Sequence, residues 1–504
     1  GLALKIWSHP LDVPMRLLGD TLGNMLPIRA FMDGDPFHTR LDAPFRYDIY
    51  LFPVNSTIDS VLAALIGIFA DSVAAGLNLA WMLKMLLAGV VALWALRRLG
   101  LGLLAATVGG VLFGLSQYAV AKGVMHYNLN YQLVPVPCML AILALREQMP
   151  TLSGTHRRLA YIGCLGIGFN CPYTAAFSLL ILGLVLGILL LGRYGGQNLK
   201  PILAALAIIA ATAAINAVPG LLAARDLDES YYVRSPKSTY DYGLRPVMLV
   251  APVPFHPVPL LEKVNKDLEA LTTDPNGLVF YHVPLGTFSS CGLVILMAIL
   301  VLQCAKRWRL AHSSRDLLPA AALCVLLLLI STKGGFNILV AQYLSPTIRA
   351  WERMASVIGF LALFASCYAL DAFLRRTAHF RAPARFLVRT AIVLLTALCA
   401  YEQLAFARFT EEIWSRSEPL YREFEDLCAS VEARMPEHAM VYYFPDFLYR
   451  TASEEGVDRP LPPEMLFSNL APYYLTDSVR WSAAMLGRGK QSAAWHEALN
   501  ALPW

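Results

Sequence analysis

Residues 16–53 read RLLGDTLGNMLPIRAFMDGDPFHTRLDAPFRYDIYLFP, and they hold Asp20, Asp33, Asp35, Asp42 and Asp48 among aromatic and basic side chains. From about Ala74 onward the chain turns into a series of apolar segments of spanning length. A carboxylate-rich loop set against a membrane surface is where an enzyme working on a lipid-linked substrate would keep its base. Composition supports the same reading. Of 504 residues 57% are hydrophobic and only 15% charged, with a mean hydropathy of +0.52, whereas soluble domains carry about 25% charged residues. Such a chain is not a water-soluble globule around one core.

A spanning helix needs about 20 apolar residues. Apolar runs predict spans near 74–96, 101–121, 129–145, 159–172, 173–192, 201–223, 287–304, 317–331, 354–370 and 386–403. A further span ahead of Gly1 is expected, because the acidic loop begins within the first turns of the sequence. Segment 57–72 is apolar but short and polar at its ends, and reads as an interfacial helix. Alternate short loops are basic: Arg97 and Arg98; Arg146, Arg157 and Arg158; Arg193 and Lys200; Lys306, Arg307, Arg309 and Arg315; Arg375, Arg376, Arg381 and Arg385. The positive-inside rule puts that side in the cytoplasm. The first loop, the long loop 224–286 and the tail 404–504 then lie outside. The expected division is 1–73 as outer loop with interfacial helices, 74–403 as the transmembrane helical domain, and 404–504 as a small extracytoplasmic α/β domain. Within that tail, 405–435 has helical periodicity, Met440–Phe444 reads as a strand, and a second helix is expected near 480–500.

The basic residues sit in short loops, so they report topology rather than nucleic-acid binding. The nine cysteines form no CxxC and read as packing residues. Glycine-rich phosphate loops and HExxH are absent, which removes support for nucleotide and zinc-protease chemistry. The polar clusters lie in the predicted outer loops. Asp20 and Asp48 compete as general base, against the alternative that a loop aspartate caps a helix or makes a turn. Asp33-Gly34-Asp35 reads as a turn. Arg349 and Arg353, at i and i+4, would share a helical face at the outer end of a span, where two guanidiniums suit a lipid phosphate. The alternative is a pair of snorkelling arginines, with Glu352 as partner. Lys333, His126 and Arg245 are further candidates for binding phosphate or sugar.

The motifs VPMRLLGD (13–20), LDAPFRYDIYLFP (41–53), HYNLNYQLVPV (126–136), YDYGLRPVMLVAPVPFH (240–256), STKGGF (331–336), SPTIRAWERM (345–354) and PYYLTDSVRWSAAMLGR (472–488) run in this order along nearly the whole chain. In that order they resemble bacterial polytopic membrane glycosyltransferases of the GT-C superfamily. The resemblance implies an α-helical membrane domain of about ten or eleven spans and a catalytic carboxylate shortly after the first of them. It also implies a polyprenyl-phosphate sugar donor, inversion at the anomeric carbon, a hexosyl or pentosyl group, and in some members a divalent cation such as Mg or Mn. Carried over, Asp20 is the base, with Asp48 in reserve, and Arg349, Arg353, Lys333, His126 and Arg245 are the lipid-phosphate set. The acceptor would be a glycan, lipid or protein of the cell envelope, and membrane lipids surround the chain. A carboxylate base in a half-buried outer cavity is expected. The alternative activity is a transporter or flippase of lipid-linked sugars. Such a protein would carry charges inside its spans and internal repeats, whereas the charges here are expected at the outer edges. A third reading is a non-catalytic scaffold that presents the tail.

Overall fold

The computed structural model describes residues 5–17, 20–37, 39–41, 56–129, 131–192, 195–223, 235–272, 283–305, 316–441, 473 and 475–481. It is a helical protein. Two helices, α1 (Thr21–Asp33) and α2 (Thr57–Ala70), precede the long α3 (Val73–Arg98). Then come α4 (Leu103–Gly114), α5 (Gln117–Lys122), α6 (Pro135–Leu145), α7 (Gly154–Gly168), α8 (Pro172–Leu191) and α9 (Gly196–Ala223). The long loop 224–286 contains α10 (Pro236–Asp241), α11 (Pro246–Val250) and α12 (Pro259–Thr272). The bundle is completed by α13 (Thr287–Cys304), α14 (Leu318–Ser331), the short α15 (Asn337–Tyr343), α16 (Ala355–Arg376) and α17 (Ala382–Gln403), and the tail opens with α18 (Ala407–Arg434).

Seven helical segments among the described residues are long and apolar enough to cross a membrane: Val73–Arg98, Leu103–Lys122, Pro172–Leu191, Gly196–Leu222, Thr287–Cys304, Trp351–His379 and Ala382–Gln403. Thr57–Ala70, Tyr131–Leu145 and Leu318–Ser331 are shorter apolar helices. The protein is a multi-pass membrane protein. Helix α7, expected as a span over 159–172, opens with His156, Arg157 and Arg158 and is only 15 residues long.

In lipid, packing rather than water exclusion joins helices, so small residues mark the tight contacts. Ala88, Ala92 and Ala95 of α3 are fully buried. Gly110 and Gly114 of α4 face Gly89 so closely that a Cβ on Gly114 would lie 2.9 Å from the Met85 carbonyl oxygen. One end of the bundle gathers basic side chains. Arg146 donates to the Asp316 and Leu99 carbonyls, and Arg375 pairs with Asp371, whose Oδ1 accepts the Gly102 amide at the start of α4. These residues were expected on the cytoplasmic side. The candidate site lies at the other end.

At that other end the first loop and the tail share a hydrophobic core. Val13, Met15, Met25, Ile28 and Leu41 pack with Trp414, Tyr421, Tyr473 and Trp481. His9 stacks on Trp414 at 4.9 Å between centroids, and Arg422 reaches Asp12. The strand expected from Met440 onward is described over Met440–Val441 and runs parallel to Arg480–Trp481, whose Trp481 also bridges to Leu41. The remainder of the expected strand and of the helix near 480–500 lies outside the described residues. Asp33 and Asp35 form a turn as expected: Gly34 takes φ +65°, Asp33 pairs with Arg29, and Asp35 accepts the Phe37 and Thr39 amides.

Candidate active site

Asp20 occupies the position before the first turn of α1, where its carbonyl accepts the Asn24 amide. Its carboxylate makes no capping bond. It approaches His126 instead, with Oδ2 3.8 Å from Nδ1. The Asp20 side chain is 56% exposed, so this carboxylate stands open to solvent on one side and faces His126 on the other. Asp48, the reserve candidate, lies outside the described residues.

His126 is buried in the turn after α5. Burial, and then the positive charges of Lys122, Arg353 and Arg16, hold its imidazole well below the usual range. It is therefore neutral at pH 7 and acts as a hydrogen-bonding group, not as a cation for phosphate. The turn that carries it is anchored from three helices. Asn24 of α1 donates to the Met125 carbonyl, Ser56 before α2 donates to the Asn128 carbonyl, and Lys84 of α3 donates to the Tyr127 carbonyl. Lys84 also pairs with Asp59 of α2, and both are almost fully buried. This pair corrects the expectation that charges keep to the outer edges, since Lys84 lies inside the first span. Gln132 and Asn170 hydrogen-bond the Asp59 carboxylate as well.

Beside His126 three cations gather, Lys122 and Arg16 buried and Arg353 half-buried. Lys122, at the end of α5, is 3.7 Å from Glu352 and lies over the Tyr118 ring. Glu352 and Arg353 enter from the tight turn Trp351–Met354 that leads into α16. Arg353 stacks on Tyr173 at 4.2 Å from the ring centroid, and its Nε has no hydrogen-bond partner among the described residues. Arg16 is buried, like Lys122. It donates to the Ala121 carbonyl and lies 5.3 Å and 5.7 Å from the Phe406 and Phe409 ring centroids. Glu352 thus lies among the cations, and Asp20 approaches them through His126, whose imidazole feels Lys122, Arg353 and Arg16. Next to them a cavity is lined by Asp241, Tyr242, Gly243, Arg245, Met248, Val283 and Glu352. Arg245 is therefore brought to the site through Glu352. Sequence reasoning missed Arg16, and it noted Lys122 and Glu352 among the polar clusters of the outer loops without giving either a binding role.

Arg349 and Arg353 do not share a helical face. Helical structure begins only at Trp351, because the residues after Pro346 are extended or turned and Trp351 donates its ring N–H to the Ile348 carbonyl. Arg349 lies 4.8 Å from the Tyr242 ring centroid and Lys333 lies 4.6 Å from that of Tyr240, while Arg353 faces Tyr173. Glu352 pairs with Lys122 and not with Arg349. The segment bearing both tyrosines is zipped to the one bearing Lys333: Leu244 accepts the Lys333 amide at 2.7 Å and donates to the Ser331 carbonyl at 2.8 Å. A Cβ at Gly243 would come within 2.6 Å of the Lys333 Cα, so only glycine permits this approach.

Among the described residues no three His, Cys, Asp or Glu side chains are grouped to hold a metal ion. The side chains beside Asp20 and Glu352 are a neutral imidazole, a lysine and two arginines, with Asp241 the one further carboxylate on the wall of the adjoining cavity among the described residues. This donor set does not fit a divalent cation and fits an anion.

No family model and no curated protein matches the sequence. Solved structures do. The chain superposes on the crystal structure of ArnT from Cupriavidus metallidurans bound to undecaprenyl phosphate with a TM-score of 0.50, at 14% identity over 99% of this chain and 86% of that one. The apo state of the same protein gives a TM-score of 0.49 at 12% identity, over 95% and 83% of the two chains. The Archaeoglobus fulgidus oligosaccharyltransferase in the apo form gives 0.37 at 12% identity, over 79% and 52%. The fold of this chain is the GT-C fold, as the order of its motifs implied.

Proposed function

We propose that the protein is an inverting glycosyltransferase that moves a sugar from a polyprenyl-phosphate donor to an acceptor on the outer face of the bacterial inner membrane. The observation that carries this reading is a GT-C fold in which an exposed carboxylate meets His126 beside a cluster of three cations, two of them buried. A sugar on a polyprenyl phosphate already has its leaving group. The enzyme has to hold that phosphate, align the acceptor and remove one proton.

In this mechanism Arg353 and Lys122 bind the donor phosphate, with Arg16 adding positive potential from the wall. The acceptor hydroxyl oxygen attacks the anomeric carbon, and the carbon–oxygen bond to the phosphate breaks with inversion. The electron pair leaves on the phosphate, where the two cations stabilise it. Asp20 takes the hydroxyl proton. His126, neutral, orients Asp20 and the acceptor, and Arg245 contacts the sugar from the adjoining cavity.

The test uses the protein in nanodiscs with a polyprenyl-phosphate sugar carrying a radiolabel, reading release of free polyprenyl phosphate and label in envelope extracts. Asp20→Asn is expected to cut turnover by at least about 100-fold, within the range for loss of a general base, with an unchanged thermal midpoint. Full activity in that variant would remove Asp20 from the mechanism. Arg353→Ala is expected to weaken polyprenyl-phosphate binding about 10- to 100-fold, the scale of a lost charged hydrogen bond. Movement of intact donor across proteoliposomes without cleavage would replace the transferase with a flippase.

A further inference from the structure

Lys333 and Arg349 stand apart from that cluster of cations and flank the two ends of α15. Each rests on a tyrosine ring of the segment 240–242, and neither has a carboxylate partner among the described residues. Both are half-buried rather than waving in solvent. The helix between them is two-sided. Asn337 and Ala341 are buried, whereas Phe336, Leu339, Tyr343 and Leu344 are exposed, the last two at 78% and 80%. This face begins five residues after the end of the short apolar helix Leu318–Ser331. An exposed apolar face there, with a cation at each end, is the pattern of a segment that dips into the outer leaflet and keeps its charges at headgroup level. The segment is held rigidly, through the Leu244 zipper and the close approach at Gly243. The inner end of the arrangement reaches the site, since Tyr242 lines the cavity with Arg245 and Glu352, and its carbonyl accepts the Glu352 amide.

We infer that Lys333 and Arg349, braced on Tyr240 and Tyr242 at the two ends of α15, form a second anion site that binds the headgroup of an anionic lipid of the outer leaflet, and that this lipid is the acceptor. The acceptor assignment rests on the transferase reading; the lipid site does not. Apolar α15 holds the tail region of the lipid, the two cations hold its phosphate, and the polar end of the headgroup extends into the cavity lined by Tyr242, Arg245 and Glu352.

The experiment titrates delipidated protein in detergent with phosphatidylglycerol, with phosphatidylcholine as the uncharged control and glycerol phosphate as the tail-free anion, using native mass spectrometry. Wild type is expected to bind phosphatidylglycerol at least about tenfold tighter than either control, the scale set by two cations near a charged headgroup. Lys333→Gln/Arg349→Gln is expected to abolish that preference while its polyprenyl-phosphate affinity stays within about twofold, and Arg349→Lys with Lys333 intact is expected to recover most of it. The inference is overturned if the double variant keeps its preference, if glycerol phosphate binds as tightly as the lipid, or if polyprenyl-phosphate affinity falls in parallel. The last result would return both cations to the donor site. Label transferred to a neutral lipid, a glycan or a protein would overturn the acceptor assignment alone. A wild type that binds the lipid but cleaves no donor would support the lipid site and sink the transferase.

Discussion

Glu352→Gln separates a site built for an anionic ligand from one that is merely a buried salt bridge. Glu352 is the counter-charge of Lys122, at 3.7 Å, and both residues are buried. At an effective dielectric constant of about 20, that separation corresponds to roughly 4 kcal/mol of attraction. Breaking a buried pair by removing one partner costs about 3–5 kcal/mol, because the other charge stays behind unpaired. The Glu352 amide bond to the Tyr242 carbonyl does not involve the side chain and survives the change. The ligand-free variant is therefore expected to lose about 3 kcal/mol of stability. The same change leaves Lys122, Arg353 and Arg16 without the carboxylate that lies among them. A donor phosphate would then supply the missing negative charge, and part of the lost stability would return on binding. Each 1.4 kcal/mol returned tightens polyprenyl-phosphate binding about tenfold. Thermal denaturation in nanodiscs with and without polyprenyl phosphate, together with calorimetric titration, reads both effects. A variant as stable as wild type without ligand, or one that binds the lipid phosphate more weakly, would refute the reasoning.

The buried pair in the first span gives a second expectation. Lys84→Met leaves Asp59 buried without its cation and is expected to cost about 3–5 kcal/mol, with Lys84→Met/Asp59→Asn recovering a large part of it; denaturation midpoints of the three proteins decide, and equal midpoints for the single variant and wild type would reject the pairing. His126 sets a pH dependence. Its folded pKa is depressed from the ordinary 6.5, so below pH 6.5 the unfolded chain binds a proton that the folded one does not. Stability is fully present above that pH and falls as pH drops toward the folded pKa, by about 1.4 kcal/mol between pH 8 and pH 5.5. His126→Gln should remove this part of the slope in thermal scans across that range; an unchanged slope would mean that the imidazole is not held neutral.

Much of the membrane architecture was legible because a spanning helix has a strong signature in sequence. The runs near 74–96, 101–121, 173–192, 201–223, 287–304, 354–370 and 386–403 each coincide with a helix long enough to cross. The amphipathic tail helix expected over 405–435 is found at Ala407–Arg434. The site was legible only in pieces. Asp20 stood out as a loop carboxylate, but nothing local shows that it meets His126, since the two come from segments joined only by the fold. The i,i+4 spacing of Arg349 and Arg353 misled, because such spacing has meaning only inside a helix and the helix starts between them. Lys84 was readable and was passed over: a lysine within an apolar span must find a partner, and its partner Asp59 sits in the adjacent short helix. Arg16 had no such flag, because an arginine in a polar loop is unremarked until the loop folds beneath aromatic rings.

The position of the Lys84–Asp59 pair explains why so costly an interaction sits where it does. Its atoms do more than join α2 to α3. Lys84 also donates to the Tyr127 carbonyl, and the Tyr127 hydroxyl donates back to the Asp59 carbonyl. Tyr127 follows His126 directly, so the pair clamps the turn that aims the imidazole at Asp20. Asn24, from the same helix that Asp20 begins, clamps that turn from the other side through the Met125 carbonyl. Asp20 and His126 are thus fixed with respect to each other by bonds that do not involve either side chain. Catalytic groups gain most from being held in place before substrate arrives, since the ordering cost is then met during folding and not at each turnover. A scaffold that only presented the tail would have no use for such a restraint. In the proposed transferase the restraint holds the exposed Asp20 carboxylate against His126, and His126 in turn stands beside Lys122, Arg353 and Arg16, the cations proposed to meet the leaving phosphate.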